Sequence, residues 1–370
     1  MKKLFTPGPL NTSATVKQAM LTDVGSRDRE FIEAVQFIRH ELLELAQVDK
    51  GEYTTVIIQG SGTFGIESVI GSAIGSHQKL LVMTNGAYGD RMVKMATING
   101  IDVVELPFLE NETLRADKLE TMLLNDPAIT HVACVHSETT TGLFNPIEEI
   151  GQVCKKFDKV FIVDAMSSFG GVQLKVKENG IHFLVSSSNK CIEGTPGFSF
   201  AICDKNQLEL AKDQAKSLSL DLYAQWKGLE TNGQFRFTPP TLTIMAFQQA
   251  IVELKEEGGI AAREARYKFN RAILKKELRQ LGLIEYLDEA IQGHIITSYL
   301  YPEHTNFDFD RFYRKLNERN LVIYPGKLSQ CNAFRIGNIG QLFEADMMDL
   351  VFGIREVLSE EGILIAQAVD

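Results

Sequence analysis

Val160-Phe161-Ile162-Val163-Asp164-Ala165 is an apolar run that delivers an acid at its C-terminal end, and Phe183-Leu184-Val185-Ser186-Ser187 is a second β-type run, followed by Ser188-Asn189-Lys190. Both are nearly continuous in apolar residues instead of alternating, as strands covered on both faces of a parallel sheet read. The spacing of 26 residues between Asp164 and Lys190 leaves room for another strand and its crossover. Open α/β sheets gather their ligands at the carboxyl ends of their strands. The acid and the amine are therefore predicted to arrive on neighbouring strand ends at one edge of one sheet.

Outward from this pair, β-type runs recur at residues 54–58, 79–84, 102–106, 130–136 and 197–203. Helical patterns fit around and between them at 29–48, 89–98, 116–124 and 147–157. Such alternation predicts a layered α/β domain with a mostly parallel, seven-stranded sheet. Beyond Pro239 and Pro240 a helix is predicted over 243–257, stopped by Gly258 and Gly259, and an amphipathic helix over 263–281. The tail changes rhythm: a strand at 295–301, a helix at 308–319, short strands near Val322 and at 333–336, and a helix at 344–360. The predicted division is an N-terminal arm (1–15), a large domain (16–258) and a small C-terminal α+β domain (259–370).

Composition narrows the function. The chain has 370 residues, 44% of them hydrophobic and 23% charged, enough for a packed interior and a wettable surface. Its net charge is −10 and its Lys and Arg are scattered, which argues against nucleic acid as a partner. No window approaches the roughly 18 apolar residues of a membrane helix, and Pro7, Gly8 and Pro9 break the only apolar start a signal peptide would need. A cytoplasmic protein acting on a small, anionic molecule is expected. The five cysteines are odd in number and widely spaced, as free thiols are, and Cys191 has no evident general base beside it. Seven histidines without a His-x-x-x-His, and Glu344 and Asp346 at a helix start, give no metal site.

Three segments carry chemistry. Lys190 ends an apolar strand among small hydroxyl residues, where desolvation favours the neutral amine needed to condense with a carbonyl; read alone, it could equally be a surface lysine in a polar loop. Asp164 is placed to pair with a protonated ring nitrogen, or to cap a helix. Gln59-Gly60-Ser61-Gly62-Thr63-Phe64-Gly65 follows a strand and opens a helix, offering hydroxyls and free N–H groups to a phosphate. It is no Walker loop, because no Lys-Ser or Lys-Thr follows. Gly60, Gly62 and Gly65 do spell GxGxxG, yet Asn85 stands where a dinucleotide site wants an acid. A tight turn with no ligand is the plainer alternative.

Taken in order, these segments join four others: Leu4-Phe5-Thr6-Pro7-Gly8-Pro9, Asn85-Gly86-Ala87-Tyr88-Gly89-Asp90-Arg91, His136-Ser137-Glu138-Thr139-Thr140-Thr141-Gly142 and Phe334-Arg335-Ile336-Gly337. Over essentially its whole length the chain resembles the class V (fold type I) aminotransferases. Within them it is most similar to those that use 2-aminoethylphosphonate and pyruvate. The resemblance implies pyridoxal 5'-phosphate as cofactor and a homodimer with composite active sites. It makes Lys190 the catalytic lysine and Asp164 the partner of the pyridine nitrogen. Ser61, Gly62 and Thr63 become the phosphate cradle, Tyr88 the residue stacked on the ring, and Thr139 the contact to the phenolic oxygen. Thr238 would reach the phosphate from the neighbouring subunit, and Arg335 would hold the acidic end of the substrate. Phe235 stands where relatives outside this subfamily often carry a tyrosine.

Plainer readings accompany these: Tyr88 as a core aromatic, Asp90 and Arg91 as a structural pair, His136 as a satisfied buried histidine. The implied reaction transfers the amine of 2-aminoethylphosphonate to pyruvate, giving phosphonoacetaldehyde and L-alanine. Alternatives on the same scaffold are alanine:glyoxylate or serine:pyruvate transamination. Cysteine desulfurization would need Cys331, the only cysteine in the distal part of the chain. A binding protein without activity would be expected to have lost Lys190 or Asp164, and both are present.

Overall fold

In a computed structural model the chain is described over residues 2–326, 328–329 and 331–363, so Met1 and residues 364–370 of the expected terminal segments lie outside it. Seven strands form the main sheet: β1 (Tyr53–Gln59), β2 (Lys79–Thr84), β3 (Asp102–Pro107), β4 (Ile129–Val135), β5 (Val160–Asp164), β6 (Ile181–Ser187) and β7 (Phe198–Asp204). Their order is β1-β7-β6-β5-β4-β2-β3. Strand β7 runs antiparallel to both of its neighbours and every other pair is parallel. The apolar runs sit inside the sheet, whereas β3, at its edge, is largely open to solvent.

Register then places the chemistry. Asp164, the last residue of β5, lies opposite Val135 of β4 and Val185 of β6. Lys190 follows β6 by three residues, so both groups emerge at the same edge, as the spacing predicted. Phe161, Ile162 and Val163, fully buried beneath Asp164, fix that strand end; burying each side chain stabilises by about 1.5–3 kcal/mol.

Two helices matter most to the site. Helix α1 (Gly62–Ala73) leaves the end of β1, and α2 (Ala87–Ile98) leaves the end of β2. Two more link the halves of the chain: α3 (Thr241–Glu257) and α4 (Gly259–Gln280). The sequence predicted a gap before residue 263, but α4 starts at Gly259. Gly258, at φ +109°, closes α3 in a left-handed conformation and turns the chain directly into the next helix.

A second sheet has order β8-β10-β9, all antiparallel, from β8 (Ile296–Leu300), β9 (Tyr324–Pro325) and β10 (Ala333–Gly337). Two hydrophobic cores correspond to the two sheets, one built from Val16 to Leu254 and the other from Leu274 to Ile363. The N-terminus joins the second. Lys3 and Leu4 pair in parallel with Leu321 and Val322, and Phe5 is wholly buried there. From that anchor, residues 6–9 run to the end of the main sheet, where Gly8 meets Lys190. No helix among the described residues is long and apolar enough to cross a membrane.

Candidate active site

At the carboxyl edge of the main sheet lies a cavity of about 210 Å³, walled by Ser61, Gly62, Thr63, Tyr88, Thr139, Asp164 and Lys190. Seven residues separated by up to 129 positions thus converge (190 − 61 = 129). The floor is the cradle. Ser61 is the N-cap of α1, yet its side chain makes no capping bond, leaving its hydroxyl for a ligand. The first amides of a helix have no partner within it, so Gly62 and Thr63 present N–H groups and the positive end of the helix dipole. A Cβ on Gly62 would fall 2.2 Å from Met166 Sδ, so any other residue there would have to displace the Met166 side chain.

Asp164 is buried, and its Oδ1 accepts the Met166 N–H at 2.9 Å. Burial pushes its carboxyl up to about 6, while that hydrogen bond, Lys190 and Arg91 pull the other way. Lys190 is only partly exposed, and its Nζ donates to the Pro7 carbonyl at 2.8 Å. Desolvation brings its amine down to about 8 against the attraction of Cys191 and Asp164. A lysine held there is neutral far more often than a surface lysine, and is a competent nucleophile and base.

The donor set fits pyridoxal 5'-phosphate on observations of this structure. A helix N-terminus with the hydroxyls of Ser61 and Thr63 beside it, the latter already accepting from Arg91, suits a phosphate, a buried acid suits a ring nitrogen, and an aromatic wall suits a planar ring. Two buried hydroxyls lining the cavity, Ser137 Oγ and Ser187 Oγ, have no partner among the described residues and await a polar ligand.

Residues 12–336 match the family Aminotransferase class-V. The chain belongs to the class-V aminotransferases. A relative from Bacillus cytotoxicus named 2-aminoethylphosphonate–pyruvate transaminase is 52% identical over 354 residues, 95% of this chain and 97% of its own. One of the same name from Bacteroides fragilis is 50% identical over 355 residues, 95% and 98% of the two chains. Among solved structures, the alanine–glyoxylate aminotransferase of Nostoc superposes with a TM-score of 0.90 at 26% identity, over 96% of this chain and 95% of that one. The ureidoglycine–glyoxylate aminotransferase of Bacillus subtilis, at 22% identity, shares the fold with a TM-score of 0.90 over 100% and 95%.

Within this class-V aminotransferase, two of the residues singled out from sequence do not line the cavity. Thr238 is exposed beside Phe235, Phe237 and Arg27 in a separate surface pocket, its carbonyl 3.4 Å from Gln59 Nε2. Arg335 is buried in β10, behind Thr139: its Nε donates to the Pro325 carbonyl at 3.0 Å and its Nη1 to the Thr139 carbonyl at 2.7 Å.

Other residues enter that sequence reasoning left unassigned. Arg91 lines the cavity, its Nη1 3.3 Å from Thr63 Oγ1 and its guanidinium carbon 4.9 Å from the Tyr88 ring centroid. The pairing of Asp90 with Arg91 is therefore corrected, since no ion pair joins them among the described residues. The signal was present: Tyr88 and Arg91 stand three apart on α2 and share a helix face. Tyr88 serves in two ways, packing against the core and facing the cavity. His136 is a satisfied buried histidine, with Nδ1 2.8 Å from Ser168 Oγ, and desolvation lowers it to about 4. Cys191 is buried with its thiol on the Ser167 carbonyl, and burial raises it to about 12, out of reach for a nucleophile.

Proposed function

We propose that this aminotransferase moves the amino group of 2-aminoethylphosphonate to pyruvate, giving phosphonoacetaldehyde and L-alanine in two half-reactions that share one site. The observation that carries the chemistry is Lys190, an amine brought down to about 8 beside the buried Asp164 and the cradle at the start of α1. When bound, pyridoxal 5'-phosphate supplies an electron sink that acidifies the carbon bearing the substrate's amine. Ser61, Gly62 and Thr63 hold the phosphate, and Asp164 keeps a proton on the ring nitrogen. Tyr88 covers the ring face, and the Thr139 hydroxyl meets the phenolic oxygen. Lys190 Nζ takes the proton from the amine-bearing carbon in one half-reaction and returns one in the other. Arg335, a planar cation next to Thr139, orients the anionic end of either substrate.

The substrate pair is supported by relatives of that name at about half identity over nearly the full chain. We further place the enzyme in the cytoplasm, where its unpaired cysteines, four of them buried, stay reduced. We take it to be a homodimer in which Thr238 of the partner subunit completes the phosphate site. Purified enzyme should consume 2-aminoethylphosphonate and form alanine from pyruvate. A screen that also offers alanine with glyoxylate and serine with pyruvate decides the matter, and a preference for either of those pairs would replace the proposed substrates.

A further inference from the structure

Glu138 has no part in the reading above. It stands between Ser137 and Thr139, which line the cavity, and its own carboxyl is wholly buried. Neutral donors surround that carboxyl from two directions. Oε1 accepts the Thr140 N–H at 3.0 Å and the Thr140 hydroxyl at 2.6 Å; Oε2 accepts the Tyr88 N–H at 3.3 Å. The last bond crosses from the 137–144 hairpin to the first turn of α2, whose N-cap, Gly86, has no side chain to cap it. Close approach is obligatory here, because a Cβ on Gly86 would meet Glu138 Cδ at 2.5 Å. Arg335 reaches the same corner through the Thr139 carbonyl. One acid thus bonds to the helix that carries the aromatic wall and to the turn that carries the hydroxyl wall, with Arg335 held on the Thr139 carbonyl next to it.

We infer that Glu138 is a positioning residue: it ties the Tyr88 wall to the Thr139 wall, and its negative charge moderates the pull of Arg335 on anions. This rests on the reading of Arg335 as the anion clamp. The charges that act on this corner are Arg335 on β10, whose proton the Glu138 charge favours, and Asp164 at the end of β5, whose like charge raises Glu138. Burial raises it to about 7 against the pull of its three donors, so the test is made on the alkaline side, at pH 8. Glu138→Gln keeps the shape but removes the charge, and an amide cannot accept from Thr140 and from Tyr88 on opposite atoms. The two losses act in opposite directions. An anion at Arg335 is held more tightly, while the ring site is held less firmly.

The test uses the full-length enzyme and methylphosphonate, an anion with no amine to react. Calorimetric titration of cofactor-loaded protein at pH 8 should show Glu138→Gln binding the probe about threefold or more tighter than the parent. Absorbance titration of the cofactor-free protein should show weaker affinity for pyridoxal 5'-phosphate. Glu138→Asp retains the charge but is a methylene too short for Tyr88, so its probe affinity should stay at the parent's level while cofactor affinity falls. A merely structural role would weaken both ligands together. Probe binding by Glu138→Gln that is unchanged or weaker overturns the inference. Arg335→Lys, measured alongside, separates the two readings: if it weakens probe binding and Glu138→Gln changes nothing, only the inference falls, and if it too changes nothing, the clamp falls with it.

Discussion

Lys190 Nζ donates a 2.8 Å hydrogen bond to the carbonyl of Pro7, and the next residue, Gly8, packs on the same side chain. Gly8 sits at φ +118°, and a Cβ there would lie 2.7 Å from Lys190 Cδ and 2.9 Å from the Asn189 carbonyl oxygen. Gly8→Ala therefore meets both a strained backbone and an occupied space. Overpacking of this kind costs about 1–3 kcal/mol, and here it presses on the catalytic amine. Affinity for pyridoxal 5'-phosphate should fall by roughly tenfold, since 1.4 kcal/mol is one decade. Titrating the cofactor-free variant by absorbance checks this; parent-like affinity would remove residues 7 and 8 from any role in placing Lys190.

Lys190→Ala should abolish turnover. In the parent, borohydride should fix the cofactor to Lys190 and to no other lysine, which peptide mapping reads directly. The pH at which cofactor-free protein captures pyridoxal 5'-phosphate carries the sign of the desolvation. Because burial lowers the amine to about 8, the neutral nucleophile is populated as pH rises through 8, well below the range of a solvated lysine. Trapped yield against pH with a midpoint near the ordinary value of 10.5 would mean that Lys190 is not desolvated.

Much of this was legible before any coordinates. Continuous apolar runs ending in Asp164 and Lys190 predicted neighbouring buried strands, and the sheet has them side by side. All seven strands fall within two residues of their predicted ends; for the inner ones burial on both faces is written in composition, whereas the edge strand β3 is solvent-open and was marked by its β-branched and apolar residues. Contacts that depend on which way a side chain turns were not legible. Glu138 reads as one polar residue in a polar stretch until α2 is seen to start above it. Arg91 looks like half of a pair with Asp90 until the helix turns it towards Thr63. Pairing of Lys3 and Leu4 with residues 321 and 322 spans most of the chain, and no local pattern encodes it. The helix start at Gly259 was missed because Gly is a poor helix former, yet at that position it only has to follow a left-handed turn.

Asp164 gives a pH-dependent stability in the cofactor-free protein. Its folded value of about 6 lies above the ordinary 3.8, so the folded state holds the proton more tightly. That contribution is fully present below 3.8 and is lost as pH rises through about 6. Two units correspond to roughly 3 kcal/mol. Asn cannot titrate, so the stability of the parent relative to Asp164→Asn should decline over this window and level off above it. Urea unfolding of both proteins at a series of pH values measures the difference; a flat difference would mean that the acid is not desolvated. The same variant should turn over far more slowly, through loss of the ring-nitrogen partner.

Thr238 lies away from the cavity within one chain, so its assignment depends on a second subunit. Sedimentation should show a dimer at assay concentrations. Thr238→Ala should weaken pyridoxal 5'-phosphate binding by about tenfold, the worth of one hydrogen bond to a charged group at roughly 1.5 kcal/mol, without dissociating the dimer. An active monomer would reject the composite site.

Under the proposed function Arg335 holds the substrates. Its fork is already divided: Nε is spent on the Pro325 carbonyl and Nη1 on the Thr139 carbonyl, so in the proposed clamp role only Nη2 is left to meet an anion. The guanidinium thus fastens β9 and the 137–144 hairpin into one corner behind Thr139. If the proposed substrates hold, both end in an anion, a phosphonate or a carboxylate, and one group would serve both half-reactions. Arg335→Lys keeps the charge but has a single nitrogen, which cannot satisfy two buried carbonyls and a ligand at once. Each carbonyl left unpaired costs about 1–3 kcal/mol. Catalytic efficiency should fall about tenfold or more for both substrates, the equivalent of roughly 1.4 kcal/mol of transition-state binding. The absorbance of the bound cofactor should persist, because Lys190, Asp164 and the cradle at Ser61, Gly62 and Thr63 are untouched. Steady-state kinetics with each substrate varied in turn reads both numbers. A loss confined to one substrate would make Arg335 specific to that half-reaction, and unchanged efficiency for both would leave it a tie between the two sheets and nothing more.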